Sequence, residues 1–142
     1  MRYRAVIFDV YRTLLHVGAP PVDAALQWET LWRTTLPGTV PPAFDGFHFG
    51  CSTLIAREHA QAKDRGIRHP EIYWPSITTE AFPELKTLSA PGLDRFLFGH
   101  AQLQRTITLA TGAADVLLRL NEARVLMGIS SNAQPYTLHE LR

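Results

Sequence analysis

Two polar segments follow short apolar runs, where α/β proteins carry reactive groups. The run at 4–8 is rich in β-branched and aromatic residues and leads into Asp9, which predicts a strand buried on both faces with a carboxylate at its end. The run at 124–129 leads in the same way into Ser131 and Asn132. In an open parallel sheet, reactive groups lie just beyond the carboxyl ends of the strands. We therefore expect Asp9 and Ser131 at one edge of a sheet.

Both residues also have a structural interpretation. Asp9 can cap the turn or helix after its strand, and Ser131 can cap a helix that begins at Pro135. For either residue alone, capping is the stronger interpretation. The repetition of one pattern in two distant parts of the chain favours a functional site.

Helical patterns fill the long segment between the two strands. The apolar stripe that contains Trp28 and Trp32 has helical spacing, and we expect this pair in a helical core. Residues 37–51 are rich in proline and aromatic residues and predict a loop. Ser52, Ser76 and Thr111 have the residue types of helix N-caps. The predicted helices are 22–36, 52–65, a short one from 76 that ends before 83, 91–104 and 111–121.

The separation of the two strands predicts an insertion. A plain crossover between parallel strands needs only about a dozen residues, and far more lie between Asp9 and Ser131. We expect an α/β fold with a partial Rossmann-like parallel sheet core at 1–16 and 106–142, and a helical cap insertion at 17–105. An insertion there would roof the strand ends and exclude water.

Composition limits the functional classes. The 142 residues are 46% hydrophobic and carry a formal charge of +1, which predicts a globular chain with no electrostatic reason to bind nucleic acid or a membrane. Cys51 is the single cysteine, and the six histidines lack the close spacing of a zinc motif, so neither a disulfide nor an intrinsic metal cluster is expected. The first apolar run is too short for a signal peptide. We expect a cytoplasmic protein.

The two strand-end segments resemble motifs of a known family. Phe8-Asp9-Val10-Tyr11-Arg12-Thr13-Leu14-Leu15 resembles the first motif of the haloacid dehalogenase-like (HAD) hydrolases, in which Asp is followed by Asp or Tyr and then by Gly-Thr-Leu. Ile129-Ser130-Ser131-Asn132-Ala133-Gln134 resembles the second motif. The predicted insertion matches the cap that this family carries after its first motif. The resemblance covers the whole chain.

The resemblance implies roles for the matching residues. Asp9 would be the nucleophile and a ligand of Mg²⁺, and it would attack a small phosphorylated or halogenated substrate. Ser131 would hydrogen-bond a phosphoryl or carboxylate oxygen, with help from backbone N–H groups near Asn132. The implied catalytic residues are Asp9, Tyr11 and Ser131. The implied substrate-binding residues are Arg12, Thr13, Ser131 and Asn132.

Two residues depart from the first motif. Tyr11 stands where family phosphatases carry the Asp that acts as general acid/base, and this resembles the dehalogenase branch, whose halide leaving group needs no proton. Arg12 stands at a glycine position, where its side chain would cost about 1–2 kcal/mol if the backbone is left-handed. Arg12 would otherwise be a solvated residue or an anion clamp.

Other family features have no counterpart in this sequence. Family members continue into strands that supply a Lys and an acidic pair that holds Mg²⁺, and no residue here can be assigned to either role. We therefore expect no turnover from these residues alone, and an exposed strand edge that favours either self-association or a missing C-terminal segment. A non-catalytic remnant or binding module and a domain of unrelated function remain alternatives. Candidates for binding a substrate carboxylate are Arg33, Arg57 and Arg68.

Overall fold

The computed structural model describes residues 3–141 and has a mixed α/β fold, with 55% helix and 11% strand. The strands are β1 (Ala5–Phe8), β2 (Leu15–Val17), β3 (Ile107–Leu109) and β4 (Leu126–Ile129). The α-helices are α1 (Ala24–Thr35), α2 (Phe44–Asp64), α3 (Trp74–Ala81), α4 (Ala90–Gln104) and α5 (Ala113–Glu122). Short 3₁₀ helices cover Pro83–Thr87 and Pro135–His139. Helices therefore provide most of the packing surface.

Strands β1 and β4 form a parallel pair. Ala5 is opposite Leu126 and Phe8 is opposite Ile129, so the two apolar runs lie side by side as expected. Within residues 3–141 this sheet has only these two strands. All of β4 is exposed, and 72% of the Ile7 surface is accessible. The prediction that β1 is buried on both faces was therefore wrong, because a pair of strands without further neighbours among residues 3–141 leaves much of its surface exposed.

Strands β2 and β3 form an antiparallel pair that the sequence did not predict. Leu15 is opposite Leu109 and Val17 is opposite Ile107. The pairing continues where Gly18 N–H donates to the Thr106 carbonyl at 2.8 Å. Three-residue strands are too short to produce a recognisable alternating pattern. The pair brings together the two points at which the chain enters and leaves the helical segment.

Aromatic side chains form the centre of the helical core. Trp28 and Trp32 on α1 are each 1% exposed, with ring centroids 5.3 Å apart, so their predicted core position is confirmed. The Trp28 indole donates to the Pro42 carbonyl and the Trp32 indole donates to the Thr39 hydroxyl, each at 2.8 Å. Buried indole N–H groups need such acceptors. Around them pack Phe47, Cys51, Ile77, Leu85, Phe96 and Leu97.

Several predicted helix boundaries were wrong. Helix α2 begins at Phe44, so part of the predicted loop at 37–51 is helical and Ser52 lies inside the helix. The reason is tertiary packing, since Phe47 and Cys51, one turn apart, are both buried in the core. Helix α3 begins before Ser76.

The later helix ends also differ from the sequence pattern. Helix α4 begins at Ala90, where the Ser89 hydroxyl caps it by accepting from Gly92 N–H at 3.3 Å. The N-cap of α5 is Gly112, in a left-handed conformation, and not Thr111. The helix predicted to begin at Pro135 is present there, as the short 3₁₀ helix Pro135–His139. Within the described residues, no helix is both long and apolar enough to cross a bilayer.

Candidate functional site

The carboxyl ends of β1 and β4 form one edge. Because Phe8 and Ile129 are paired, Asp9 and the polar segment at 130–132 both begin at this edge, and Ser130 N–H donates to the Phe8 carbonyl at 2.9 Å. The side chains of Asp9, Ser131 and Asn132 are exposed. The fold thus brings together the two segments that the sequence singled out. A carboxylate, a hydroxyl and an amide are accessible to a small molecule there.

A tight turn follows Asp9. The Val10 carbonyl accepts hydrogen bonds from the N–H groups of Leu14 and Leu15, each at 2.9 Å, and Arg12 N–H donates to the Leu15 carbonyl at 2.7 Å. The backbone of Arg12 has φ 62°, in the left-handed region that favours glycine. The expected strain is therefore present, at a cost of about 1–2 kcal/mol. The side chains of Arg12 and Thr13 are exposed on this turn.

The Tyr11 side chain belongs to a buried polar cluster. Its hydroxyl donates to Glu140 Oε2 at 2.5 Å and lies 2.7 Å from Thr137 Oγ1. Glu140, with a side chain 2% exposed, also accepts from Gln102 Nε2 at 2.9 Å and lies 3.8 Å from an Arg105 guanidinium nitrogen. The Arg105 guanidinium carbon lies 4.3 Å from the Tyr11 ring centroid, in cation–π geometry. We call these five residues the Tyr11–Glu140 cluster.

This cluster determines the chemical state of Tyr11. Burial, followed by the hydrogen bond to Glu140, raises the pKa of Tyr11 to about 12. The tyrosine is therefore a neutral donor near neutral pH, and its hydroxyl is bonded to Glu140 and Thr137. A catalytic role for Tyr11 stays a prediction. The motif resemblance missed the cluster because Glu140 and Gln102 are distant from Tyr11 in the sequence.

A cleft adjoins the same edge through Asn132. Its volume is ≈ 890 Å³, and Asn132 lies on one wall. The other wall comes from the end of α2 and the following connector, with Lys63 and Arg68 among its residues. Over residues 3–141, neither of these cations forms an ion pair with a carboxylate. The cleft is also lined by His59, His69 and the carboxylate of Glu71, so its charge is mixed, with Lys63 and Arg68 as the two cations.

The three arginines proposed to bind a substrate carboxylate differ in their position relative to the cleft. Arg68 lines it together with Asn132. Arg57 is bonded to Glu80 at 2.7 Å and to Glu58 at 2.8 Å, so its guanidinium is already occupied. Arg33 is exposed in the last turn of α1 and is not among the residues that line the cleft.

Gln134 fixes the segment that carries Ser131 and Asn132. Its amide donates to the Ile72 carbonyl at 2.9 Å and accepts from Trp74 N–H at 3.2 Å. One side chain thus makes two hydrogen bonds to the backbone at the start of α3. No residue pattern predicts this contact, because its partners are backbone groups, which any residue type can supply.

The described residues do not form an acidic metal site. Over residues 3–141, no group of three or more His, Cys, Asp and Glu side chains is arranged to hold a metal ion. Mg²⁺ is usually held by one or two carboxylates together with water and substrate oxygens, and Asp9 supplies one exposed carboxylate at this edge. No protein-family model, curated protein or solved structure matches this chain.

Proposed function

We propose that the chain carries the nucleophile edge of a HAD-like hydrolase that acts on a small anionic substrate, with Asp9 as nucleophile and a helical cap over the edge. One observation carries this proposal. The parallel pairing of β1 with β4 sets Asp9 beside the segment of Ser131 and Asn132, in the order and strand context that the motif resemblance requires. If Asp9 and Ser131 served only to cap turns or helices, nothing would require both segments to lie at one edge of the sheet.

The proposed chemistry is covalent catalysis. A carboxylate oxygen of Asp9 bonds to the phosphorus of a phosphorylated substrate as the leaving group departs with its electron pair. Water then attacks phosphorus, which releases inorganic phosphate and restores the carboxylate. On a 2-haloalkanoate, the same oxygen displaces halide from carbon, and water hydrolyses the resulting ester. Ser131 donates a hydrogen bond to a phosphoryl or carboxylate oxygen in either case.

Two cations of the cleft support an anionic substrate. Lys63 and Arg68 line the cleft together with Asn132, the residue after Ser131. Tyr11 favours a leaving group that needs no proton, because its hydroxyl is bonded to Glu140 and Thr137. Acyl phosphates and 2-haloalkanoates meet both conditions.

The test is covalent labelling of Asp9. The chain is incubated with acetyl phosphate, and separately with 2-chloropropionate, with and without Mg²⁺, and its intact mass is measured. We expect one adduct on the peptide that contains Asp9, a phosphoryl group from acetyl phosphate or a 1-carboxyethyl ester from 2-chloropropionate. Labelling does not require the second, hydrolytic half of the reaction.

Matched variants decide the outcome. Asp9→Asn should abolish the adduct, whereas Asp115→Asn, at an exposed acid in the first turn of α5, should keep it. Absence of an adduct with both probes, or an adduct that survives Asp9→Asn, contradicts the proposal.

The exposed strands favour a second candidate, a self-associating module without catalysis. The side chains of Ile7, Leu126 and Ile129 are more than half exposed, and both strands have a free edge within the described residues. Such edges pair readily with another chain. Light scattering tests this candidate. A stable dimer that forms no Asp9 adduct supports it, and a monomer at all concentrations excludes it.

A further inference from the structure

Two histidines of the helical core face one common atom. His48 lies on α2, and His100 lies on α4 one turn before Gln104. The Gln104 amide nitrogen is 2.9 Å from His100 Nε2 and is also in contact with His48 Nε2. The two imidazole rings have centroids 5.3 Å apart. Both Nε2 atoms are therefore directed at a single point between the helices.

The contacts with Gln104 bear on the state of both rings. With the Gln104 amide nitrogen as the donor, each Nε2 accepts and each ring carries its proton on Nδ1. Two neutral rings thus direct their Nε2 lone pairs at the same place. Neutral imidazole is the form that ligates transition metals.

We propose that His48 and His100 form a transition-metal site, with Gln104 as a third, oxygen ligand. Rotation of the terminal amide torsion, which has a broad energy profile, turns the Gln104 oxygen towards the two rings. Imidazole nitrogens with a neutral oxygen suit Zn²⁺ and its neighbours better than Mg²⁺ or Ca²⁺. Water completes the coordination shell from the half-exposed side of His48.

Residues around the two histidines support a bound metal ion in two ways: a carboxylate lies near His48, and aromatic rings hold His100 in place. Asp45, one turn before His48 on α2, is exposed and close enough to raise the pKa of that ring against the effect of burial, so it offsets part of the metal charge. His100 is 2% exposed and packs against Trp28 and Phe47 with centroid distances of 5.5 and 4.7 Å. This packing holds one ligand ring in place before the metal binds.

The site is separate from the Asp9 edge and does not depend on the proposed hydrolase function. The spacing of histidines along the chain did not reveal it, because His48 and His100 come from different helices.

The test is titration of the full chain with Zn²⁺ by calorimetry and with Co²⁺ by visible absorption. We expect one Zn²⁺ per chain, and Co²⁺ bands that Zn²⁺ displaces. His48→Ala should weaken Zn²⁺ binding by about tenfold or more, comparable with the loss of a key metal-site group. Gln104→Glu should tighten it, because a carboxylate replaces a neutral ligand.

The cleft histidines provide the control. A double variant, His59→Asn with His69→Asn, removes the two histidines that line the cleft and should retain Zn²⁺ affinity. The proposal is overturned if the native chain binds no Zn²⁺, or if affinity falls in the double variant and not in His48→Ala. Should His48→Ala fail to fold, Gln104→Glu decides, and unchanged affinity in that variant overturns the proposal.

Discussion

The hydroxyl of Tyr11 lies 2.5 Å from a carboxylate oxygen of Glu140, which ties the turn after Asp9 to the last turn of the chain that the structure describes. Tyr11→Phe removes the donor and leaves a buried carboxylate with one hydrogen bond fewer. We expect a loss of about 1–3 kcal/mol in the free energy of unfolding, measured with urea. Tyr73→Phe, at an exposed tyrosine, is the control and should change little.

The contact between Tyr11 and Glu140 predicts that the fold loses stability at alkaline pH. The folded state raises the pKa of Tyr11 from 10.0 to about 12, so its neutral form stabilises the fold fully below pH 10. This contribution is lost as pH rises from 10 to about 12, because the unfolded tyrosine ionises first. Unfolding measured across that range should show a smaller decline in Tyr11→Phe than in the native chain. Equal declines would contradict the assignment.

The left-handed residue Arg12 predicts a stabilising substitution. Arg12→Gly relieves the positive φ and should raise the free energy of unfolding by about 0.5–1 kcal/mol, after the greater flexibility of the unfolded glycine is subtracted. Arg119→Gly, at an exposed position inside α5, should instead lower it by about 1 kcal/mol. Opposite changes in the free energy of unfolding would show that the effect depends on the backbone conformation at each position and not on glycine itself.

Gln134 predicts a local loss of order. Gln134→Ala removes the two hydrogen bonds to Ile72 and Trp74, and we expect a loss of about 1–2 kcal/mol. Hydrogen exchange should rise at the Trp74 amide. Gln27→Ala removes an exposed amide bonded to Asp23 and should cost less than half as much. Equal losses of unfolding free energy in Gln134→Ala and Gln27→Ala would contradict a stabilising role for the two Gln134 hydrogen bonds.

The buried side chain of His100 predicts that the fold loses stability at acid pH. The pKa of His100 falls from 6.5 to about 3 in the folded state, so its neutral form stabilises the fold fully above pH 6.5. Stability should decline as pH falls from 6.5 towards 3, since the unfolded chain takes up the proton first. His100→Gln should show a shallower decline than the native chain, and His16→Asn, at an exposed histidine, should show the native slope.

Sequence patterns predicted those features of the molecule that depend on residues close together in the chain. The apolar runs of β1 and β4, the polar residues after them and the strain at Arg12 depend on neighbours in the sequence, as does the helical spacing of Trp28 and Trp32. The first two turns of α2 look like a loop because their helical state depends on burying Phe47 against distant side chains.

Contacts between distant segments were beyond these patterns. The pairing of β2 with β3 and the meeting of Tyr11 with Glu140 join residues far apart in the sequence. Neither segment of such a pair carries a signature of the other. The pair of cations in the cleft was anticipated only at Arg68, because charge by itself does not indicate which side chains share a cavity.

The pairing of Val17 with Ile107 has a consequence for how this chain could have arisen. The helical segment leaves and returns at adjacent backbone positions, as the loop of a hairpin does. Replacing residues 18–106 with a two-residue Asn-Gly turn would leave a plain hairpin there. The same replacement would remove the partners of Gln134 and Glu140, namely Ile72, Trp74 and Gln102. The helical segment therefore has the connections of an insertion into a hairpin and also holds the chain after Ser131 in place.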